Sequence, residues 1–288
     1  MIPAAFEYHV PKTLRQAIST LRKYDGDARV LAGGMSLVPM MKLRLANLGA
    51  VVDLGRIDGL AYVEPTDAGL AIGAMTTHYA LETSTLVRER APLLADAAAL
   101  VADVQVRNRG TIGGAVAHAD PAADYPAALL ALEATFRVAG GSRRRTVRAE
   151  RMFVDAYTTV LEESEILVEV AVPATPAFTG WSYQKLANRA SRFAVVGIAA
   201  LVTVADDGTC ERVRIGVTGA GPFASRAKAA ERYLVGRVVD DDSINKAAAR
   251  AAKGIEFLGD VHGSPEYREH LTMELTKRAL TEAAGRAR

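Results

Sequence analysis

Cysteine is almost absent from this sequence of 288 residues, which contains Cys210 and no other. One cysteine cannot form an intrachain disulfide, and it cannot supply the four thiolates of an iron–sulfur cluster. The five histidines are scattered along the chain at His9, His78, His118, His262 and His270. Their spacing matches no metal-ligand pattern. We therefore expect no metal on this chain, and we interpret Cys210 as a small core hydrophobe.

Long apolar runs and net charge are also scarce. No apolar run reaches the roughly 18 residues that a helix needs to span a bilayer, and residues 1–22 carry polar and charged side chains throughout. The formal net charge is +2, which predicts no nucleic-acid partner. The sequence thus predicts a cytoplasmic protein with no transmembrane segment, whose membrane contact, if any, is peripheral and made through partners.

A short glycine loop, A-G-G-M-S at residues 32–36, lies between a predicted strand at 29–31 and a predicted helix at 37–45. Gly33 and Gly34 permit positive φ and a close approach of backbone to ligand. Ser36 is a candidate N-cap, and Pro39 suits the first helical turn. Backbone amides in this setting can bind phosphate, whereas a tight turn without a ligand is the alternative for an isolated glycine pair.

A second glycine loop, T-I-G-G-A at residues 111–115, places the Thr111 hydroxyl beside two glycines. Two acids follow, Asp120 and Asp124, ahead of the apolar run 127–132. These acids either cap the helix or accept hydrogen bonds from ribose or flavin groups of a ligand. Two such loops in one chain are what a diphosphate would require.

The predicted elements divide the chain into regions 1–54, 55–177 and 178–288, with strands and helices in segregated runs that indicate an α+β fold. The first region carries the first glycine loop. The second has hairpins turned at 67–69 and at Gly140-Gly141-Ser142. The basic cluster 143–145 beside the latter turn is interpreted as a solvated arm, with partner docking as the alternative. The third has strands at 181–186, 195–204 and 213–218, and then helices.

One further motif imitates a dinucleotide-binding unit. G-x-G-x-x-A at residues 219–224 follows a strand, and Asp240 lies about 20 residues on. However, the required second strand at 237–239 is too short, and no further β-α-β unit follows. We interpret the motif as a strand-to-helix turn.

The two glycine motifs resemble those of the FAD-binding medium subunits of molybdenum hydroxylases. The segments are A-G-G-x-S-L-x-P at 32–39 and T-I-G-G-x-x-A-H-x-D-P-x-x-D-x-P at 111–126. The opening M-I-P and Q-V-R-N-R-G at 105–110 are most similar to the carbon monoxide dehydrogenase branch. The resemblance covers essentially the whole chain. It implies an FAD-binding domain of two subdomains, followed by a C-terminal domain of a three-stranded antiparallel sheet with a helical bundle.

The same resemblance implies an electron-transfer subunit with no catalytic residue beyond FAD. A large subunit would carry a molybdenum cofactor, and a small subunit two [2Fe-2S] clusters, in a dimer of heterotrimers that passes electrons to an acceptor such as quinone. Carbon monoxide is the first choice of substrate. The alternatives are a related aldehyde or N-heterocycle hydroxylase, a free-standing flavoprotein oxidoreductase, and a non-catalytic scaffold.

Carried over by resemblance, the cofactor-binding positions comprise both loops and several residues near the flavin ring. They are Ala32, Gly33, Gly34, Met35, Ser36, Val101, Ala102, Thr111, Gly113, Gly114, Ala115, Asp124, Leu161, Lys185 and Phe193. The loops would hold the diphosphate through backbone amides and the hydroxyls of Ser36 and Thr111.

Three of these positions depart from the carbon monoxide dehydrogenase pattern: Met35 replaces histidine, Ala115 replaces asparagine or a polar equivalent, and Phe193 replaces tyrosine. These departures leave the substrate and the electron acceptor open. Core packing is the alternative for Leu161 and Phe193, and a surface amine is the alternative for Lys185.

Overall fold

A small parallel sheet forms the N-terminal region of the computed structural model, which describes residues 2–141 and 143–287. Its strands are β1 (Glu7–His9), β2 (Ala28–Leu31) and β3 (Ala50–Asp53), in the order β1-β3-β2. Helix α1 (Leu14–Lys23) connects β1 to β2 and buries one apolar face, while α2 (Leu37–Lys42) follows the first glycine loop. The sequence prediction missed β1 and placed the end of α2 three residues late, at 45.

The middle region is built on a five-stranded antiparallel sheet in the order β4-β5-β10-β6-β7. Its strands are β4 (Val63–Thr66), β5 (Gly69–Gly73), β6 (Thr135–Gly140), β7 (Arg143–Arg148) and β10 (Ile166–Pro173); β8 (Phe153–Asp155) and β9 (Thr158–Thr159) form a separate ribbon. Ser142, in the predicted β6–β7 turn, lies outside the described residues. In the predicted basic arm, Arg145 is not merely solvated, because it forms a 2.6 Å ion pair with Glu165.

Seven helices accompany this sheet among the described residues: α3 (His78–Thr83), α4 (Thr85–Arg90), α5 (Pro92–Ala99), α6 (Val104–Arg109), α7 (Ile112–His118), α8 (Asp124–Ala131) and α9 (Ala149–Met152). Every residue of α8 is buried. It packs between the middle region and the C-terminal sheet so closely that a side chain at Gly216 would overlap the Ala127 carbonyl oxygen. The middle and C-terminal regions therefore share a core.

The C-terminal sheet has strands β11 (Thr179–Ala187), β12 (Ala194–Val204), β13 (Cys210–Thr218) and β14 (Ser225–Arg226), paired antiparallel in chain order. Helices α10 (Lys228–Leu234), α11 (Asp241–Ala248) and α12 (Pro265–Arg286) complete the chain. β12 is buried along its whole length, since α8 covers one face of the sheet and α12 the other. The predicted three-stranded sheet thus gains a two-residue fourth strand.

Cys210 and the G-x-G-x-x-A motif both lie in this C-terminal region. Cys210 is buried in the C-terminal core, which confirms its interpretation as a core hydrophobe, and burial raises the pKa of its thiol to about 11. The G-x-G-x-x-A motif connects the antiparallel strands β13 and β14, so it cannot belong to a β-α-β unit. The motif is a strand-to-strand connection rather than the strand-to-helix turn that we expected.

Ion pairs also join the middle region to the C-terminal sheet. The Glu133 carboxylate follows α8 and pairs with Arg212, with Arg214 at 2.6 Å and with Arg226 at 3.2 Å. Burial raises the pKa of Glu133, but Arg214 and Arg212 outweigh this effect and hold it below its usual value. The network fixes the orientation of the C-terminal sheet relative to the middle region.

Across residues 2–141 and 143–287, no helix is both long enough and apolar enough to cross a membrane. The same residues contain no group of three or more His, Cys, Asp or Glu side chains arranged to hold a metal ion.

Candidate functional site

The two glycine loops, although distant in sequence, lie against each other. A Cβ on Gly33 would overlap the Arg109 carbonyl oxygen, so Gly33 rests directly on the peptide that precedes the second loop. A Cβ on Gly114 would lie 3.6 Å from the Ala32 Cβ. The absence of side chains at these positions brings the two backbones together.

The first loop presents backbone donors that have no partner within the described part of the chain. Among the described residues, no acceptor lies within hydrogen-bond reach of the amides of Gly33, Gly34, Met35 or Ser36. Gly34 adopts a positive φ of 77°, which favours glycine. Ser36 occupies the N-cap position of α2, yet its hydroxyl makes no capping hydrogen bond. The loop therefore offers a row of amides and one hydroxyl to a ligand.

The second loop differs, because its amides already have acceptors. The Ile112 amide donates to Thr76 O at 3.0 Å and the Gly113 amide to Ala74 O at 2.9 Å. The Gly114 amide donates to Thr111 Oγ1 at 3.1 Å. Our expectation that amides of this loop are free for a diphosphate is wrong for these residues, since strand-end carbonyls and the helix cap use them.

The glycines of the second loop are instead explained by packing. A Cβ on Gly113 would lie 2.5 Å from the Ala74 Cβ, and one on Gly114 would lie 2.9 Å from Thr111 Oγ1. The Thr111 hydroxyl accepts from Gly114 and keeps its own proton for donation. Thr111 thus offers a ligand one donor, and contact at Gly113, Gly114 and Ala115 through close backbone approach stays a prediction.

A buried ion pair lies between α8 and β11. Lys185 Nζ is 2.8 and 2.9 Å from the two Asp124 carboxylate oxygens, and the Tyr183 hydroxyl donates to Asp124 Oδ1 at 2.7 Å. Only 2% of the Lys185 side chain is exposed, so the surface-amine alternative is wrong. Burial raises the pKa of Asp124, against the opposing effect of the Lys185 ammonium. Both carboxylate oxygens of Asp124 therefore have donors within the protein.

The same lysine is connected to the predicted flavin-lining turn. Lys185 Nζ donates to Leu100 O at 2.9 Å, and Arg107 Nη1 donates to Val101 O at 3.0 Å and to Ala102 O at 3.2 Å. Ala102 has a φ of 41°, which is unusual for a residue with a side chain. The carbonyls of this turn are therefore held from both sides, and its strained backbone is fixed.

Sequence reasoning missed two members of this site. Tyr183 lies two residues before Lys185 on β11, so both side chains face the same side of the sheet, and the period of two could have indicated it. Arg107 lies in the segment Q-V-R-N-R-G, whose sequence indicates the family but not a function for this arginine. The contacts of Arg107 with Glu82 and the 101–102 turn could not be read from the sequence.

The acids at Asp120 and Asp124 do not cap α8. Its N-cap is Ala123, and no side chain there makes a capping bond. Asp120 Oδ1 accepts from the Ala122 amide at 2.9 Å within the preceding turn, while Asp124 is the first helical residue and binds Lys185. The capping alternative is thus wrong for both acids.

The remaining predicted positions divide into packed and open ones. Val101, Ala115 and Leu161 pack at the edge of the same apolar core, so core packing accounts for part of the role of Leu161. Phe193 is 44% exposed and belongs to no apolar core cluster of the described residues, which contradicts its core-packing alternative. Met35, within the first loop, is also exposed.

The arrangement fits a ligand with a diphosphate and a planar ring. Free amides beside residues without side chains can approach phosphate oxygens closely, and they supply donors at no cost in side-chain entropy. The exposed ring of Phe193 provides an aromatic face near the chain segment that bears Lys185. FAD combines both groups.

Family models and known proteins agree with this geometry. Residues 4–175 match the FAD-binding domain in molybdopterin dehydrogenase, and residues 181–283 match the carbon monoxide dehydrogenase flavoprotein C-terminal domain. The carbon monoxide dehydrogenase medium chain of Hydrogenophaga pseudoflava is 41% identical, with 99% of each chain covered. Subunit alpha of the 6-hydroxypseudooxynicotine dehydrogenase complex of Paenarthrobacter nicotinovorans is 37% identical, with 100% of this chain and 97% of the relative covered.

A solved structure of carbon monoxide dehydrogenase from Hydrogenophaga pseudoflava superimposes with a TM-score of 0.97 at 43% identity, covering 99% of both chains. The resemblance seen at the glycine motifs and the α+β fold are confirmed. The chain belongs to the FAD-binding medium subunits of the molybdenum hydroxylases, a family of oxidoreductases.

Proposed function

We propose that this chain transfers electrons, through FAD held between the two glycine loops, from [2Fe-2S] clusters of a small partner subunit to an acceptor such as quinone. A large partner subunit would hold the molybdenum cofactor at which carbon monoxide and water give carbon dioxide, two protons and two electrons. The observation that carries the cofactor position is the row of free amides in the first loop, with Gly33 packed on the second loop.

The first loop and Thr111 are suited to the diphosphate. The amides of Gly33 to Ser36 can donate to phosphate oxygens, and the hydroxyls of Ser36 and Thr111 add two donors. Hydrogen bonds to a charged acceptor are stronger than neutral ones, at about 1.5–3 kcal/mol each. Met35 contributes its amide here, so the replacement of histidine leaves this part of the site intact.

The Lys185–Asp124 pair is suited to the polar edge of the flavin ring. Asp124 is oriented by Lys185 and Tyr183, and Lys185 also fixes the turn at Leu100. These contacts would give the ring fixed polar partners, while Leu161 and Phe193 would supply apolar and aromatic contact. FAD exchanges electrons one or two at a time, which is the redox chemistry that this position requires.

Two features support carbon monoxide as the substrate of the large partner subunit. The medium chain of carbon monoxide dehydrogenase is 41% identical over nearly the full length, and a solved carbon monoxide dehydrogenase superimposes closely. A second candidate is a hydroxylase of an N-heterocyclic compound or an aldehyde, because the 6-hydroxypseudooxynicotine dehydrogenase subunit is 37% identical over the whole chain. Substrate choice resides in the partner subunit in either case.

The test is purification of the native complex through a tag on this chain. We expect bound FAD, iron, labile sulfide and molybdenum, together with carbon-monoxide-dependent reduction of an electron-accepting dye. Reduction by an N-heterocycle or an aldehyde, with none by carbon monoxide, would favour the second candidate. Flavin with no metal-bearing partner would favour a free-standing flavoprotein, and a complex without flavin would refute the proposal.

A pair of variants tests the cofactor position within the same complex. Gly34→Val would force a bulky side chain into a positive φ and is expected to abolish FAD retention. Gly285→Ala, at a helical glycine with open space around it, is the matched control and should retain FAD. Equal FAD content in both variants would exclude the first loop as the diphosphate site.

A further inference from the structure

The loop that carries Phe193 connects β11 to β12 and begins directly after the strand that bears Lys185. Its two ends are tied, since the Asn188 amide donates to Phe193 O at 2.8 Å and the Ala194 amide donates to Ala122 O at 3.2 Å. Ala122 lies two residues before Asp124. The loop therefore starts on the strand of Lys185 and ends at a backbone bond to the segment that precedes Asp124, with the Phe193 ring outside the core.

Asn188 organises this loop from within. Its Oδ1 accepts from the amides of Ala190 at 2.8 Å and Ser191 at 3.1 Å. With Oδ1 used in this way, Nδ2 is the atom that faces His262, and it donates to His262 Nδ1 at 2.9 Å. The orientation of the Asn188 amide is thus defined by three polar groups, and His262 Nδ1 must be an acceptor.

His262 is itself held by a buried guanidinium. Asp260 Oδ1 accepts from the His262 amide at 2.8 Å and pairs with Arg268 Nη2 at 2.7 Å. Arg268 is buried, and its Nη1 donates at 2.6 Å to Val195 O and to Gly219 O. Val195 lies two residues after Phe193. The contacts that run from Asn188 through His262, Asp260 and Arg268 to Val195 therefore connect the two ends of the Phe193 loop.

We propose that Asn188 and His262 are positioning residues that hold the Phe193 ring over the flavin. This inference rests on the proposed function, because it takes the flavin to lie beside Phe193. His262 acts through Asn188, and the required chemistry is one hydrogen-bond acceptor at the position of Nδ1. Without that acceptor the loop keeps its internal bonds and loses its attachment to the turn before α12.

The experiment uses the full chain loaded with FAD and measures collisional quenching of flavin fluorescence by potassium iodide. Phe193→Ala gives the value for an uncovered ring. His262→Leu, which removes the acceptor, is expected to raise the quenching constant at least about twofold toward that value, since one hydrogen bond changes a conformational equilibrium by about fivefold. His262→Asn should restore the wild-type value, because Asn Oδ1 occupies the position of Nδ1.

The matched control is His270→Leu on the exposed side of α12, which should leave the quenching constant unchanged. Asn188→Ala removes the same contact from the other side and should match or exceed His262→Leu. Wild-type quenching in His262→Leu, or failure of His262→Asn to restore it, would overturn the positioning role while FAD binding stands. A wild-type chain that binds no FAD would overturn the proposed function and this inference with it.

Discussion

The first and second glycine loops share a Gly-Gly pair and differ in how their backbones are used. In the first loop, four consecutive amides lack an acceptor among the described residues, and the N-cap residue Ser36 makes no capping bond. In the second, the amides of residues 112–114 donate hydrogen bonds to acceptors within the chain, and Thr111 caps helix α7. A glycine pair can therefore serve ligand access in one place and backbone packing in another.

The difference has a physical origin in what surrounds each loop. The second loop lies against the end of β5, where carbonyls of Ala74 and Thr76 point at its amides. The first loop follows β2, an edge strand of the small N-terminal sheet. The Gly33 α-carbon packs against the Arg109 peptide, where a Cβ would overlap the carbonyl oxygen. Buried backbone N–H groups need an acceptor within the protein, whereas accessible ones can donate to solvent or to a ligand.

Acid should destabilise the structure behind the second loop. His78 is buried against Gly110, and burial lowers its pKa from 6.5 to about 4. The unfolded chain then binds more protons between these values, so stability is complete above pH 6.5 and is lost as pH falls toward 4, by about 3 kcal/mol. Denaturant unfolding at pH 7.5 and pH 4.5 measures this loss.

The control for that prediction is His78→Leu, in which a large part of the pH dependence should disappear. Its loss of stability at neutral pH should be moderate, because His78 Nδ1 has no hydrogen-bond partner among the described residues. An unchanged pH dependence in this variant would assign the acid lability to other groups.

Contact between the loops is tested by Gly33→Ala. The new Cβ would overlap the Arg109 carbonyl oxygen, so the backbones must separate. We expect the free energy of unfolding to fall by about 2 kcal/mol, as in overpacked cores, and FAD to be lost. Thermal unfolding with and without FAD measures both effects, and an unchanged midpoint would contradict the close packing. Gly285→Ala is again the control, since its Cβ would meet open space.

Thr111→Val tests the structural role of the second loop. The substitution keeps the shape of the side chain and removes the oxygen that caps α7 at the Gly114 amide. Loss of such a cap costs about 1 kcal/mol. Chemical denaturation of the chain without FAD is the measurement, and a change of less than about 0.3 kcal/mol would show that this hydroxyl is not needed as a cap.

Ser36→Ala tests the first loop in the same way. The substitution also removes a hydroxyl at a helix N-cap, but in α2 this hydroxyl makes no capping bond. Stability should change by less than about 0.5 kcal/mol. FAD affinity should nevertheless fall about tenfold, the equivalent of one hydrogen bond to a charged phosphate. A titration of the chain with FAD measures it; a loss of stability with unchanged affinity would reverse the roles that we assign to the two loops.

Much of the fold could be predicted from the sequence, because its signals are local. The strand before the first loop, helix α1 and the long apolar strand β12 were each indicated by residue patterns. Strand β1 was missed, since its three residues are stabilised by pairing with β3 rather than by their own pattern. Helix α2 ended early because Arg44 adopts a positive φ, which no local signal indicated.

For the candidate site, the residue types that can take part are evident from the sequence: glycines without side chains, a serine and a threonine beside them, and single charged residues at Asp124 and Lys185. Which amides are free, the burial of Lys185 against Asp124, and the contacts of Tyr183 and Arg107 with this cluster all depend on the three-dimensional fold. Hydrogen-bond partners supplied by distant segments decide whether a donor is available, and a local pattern contains no information about them.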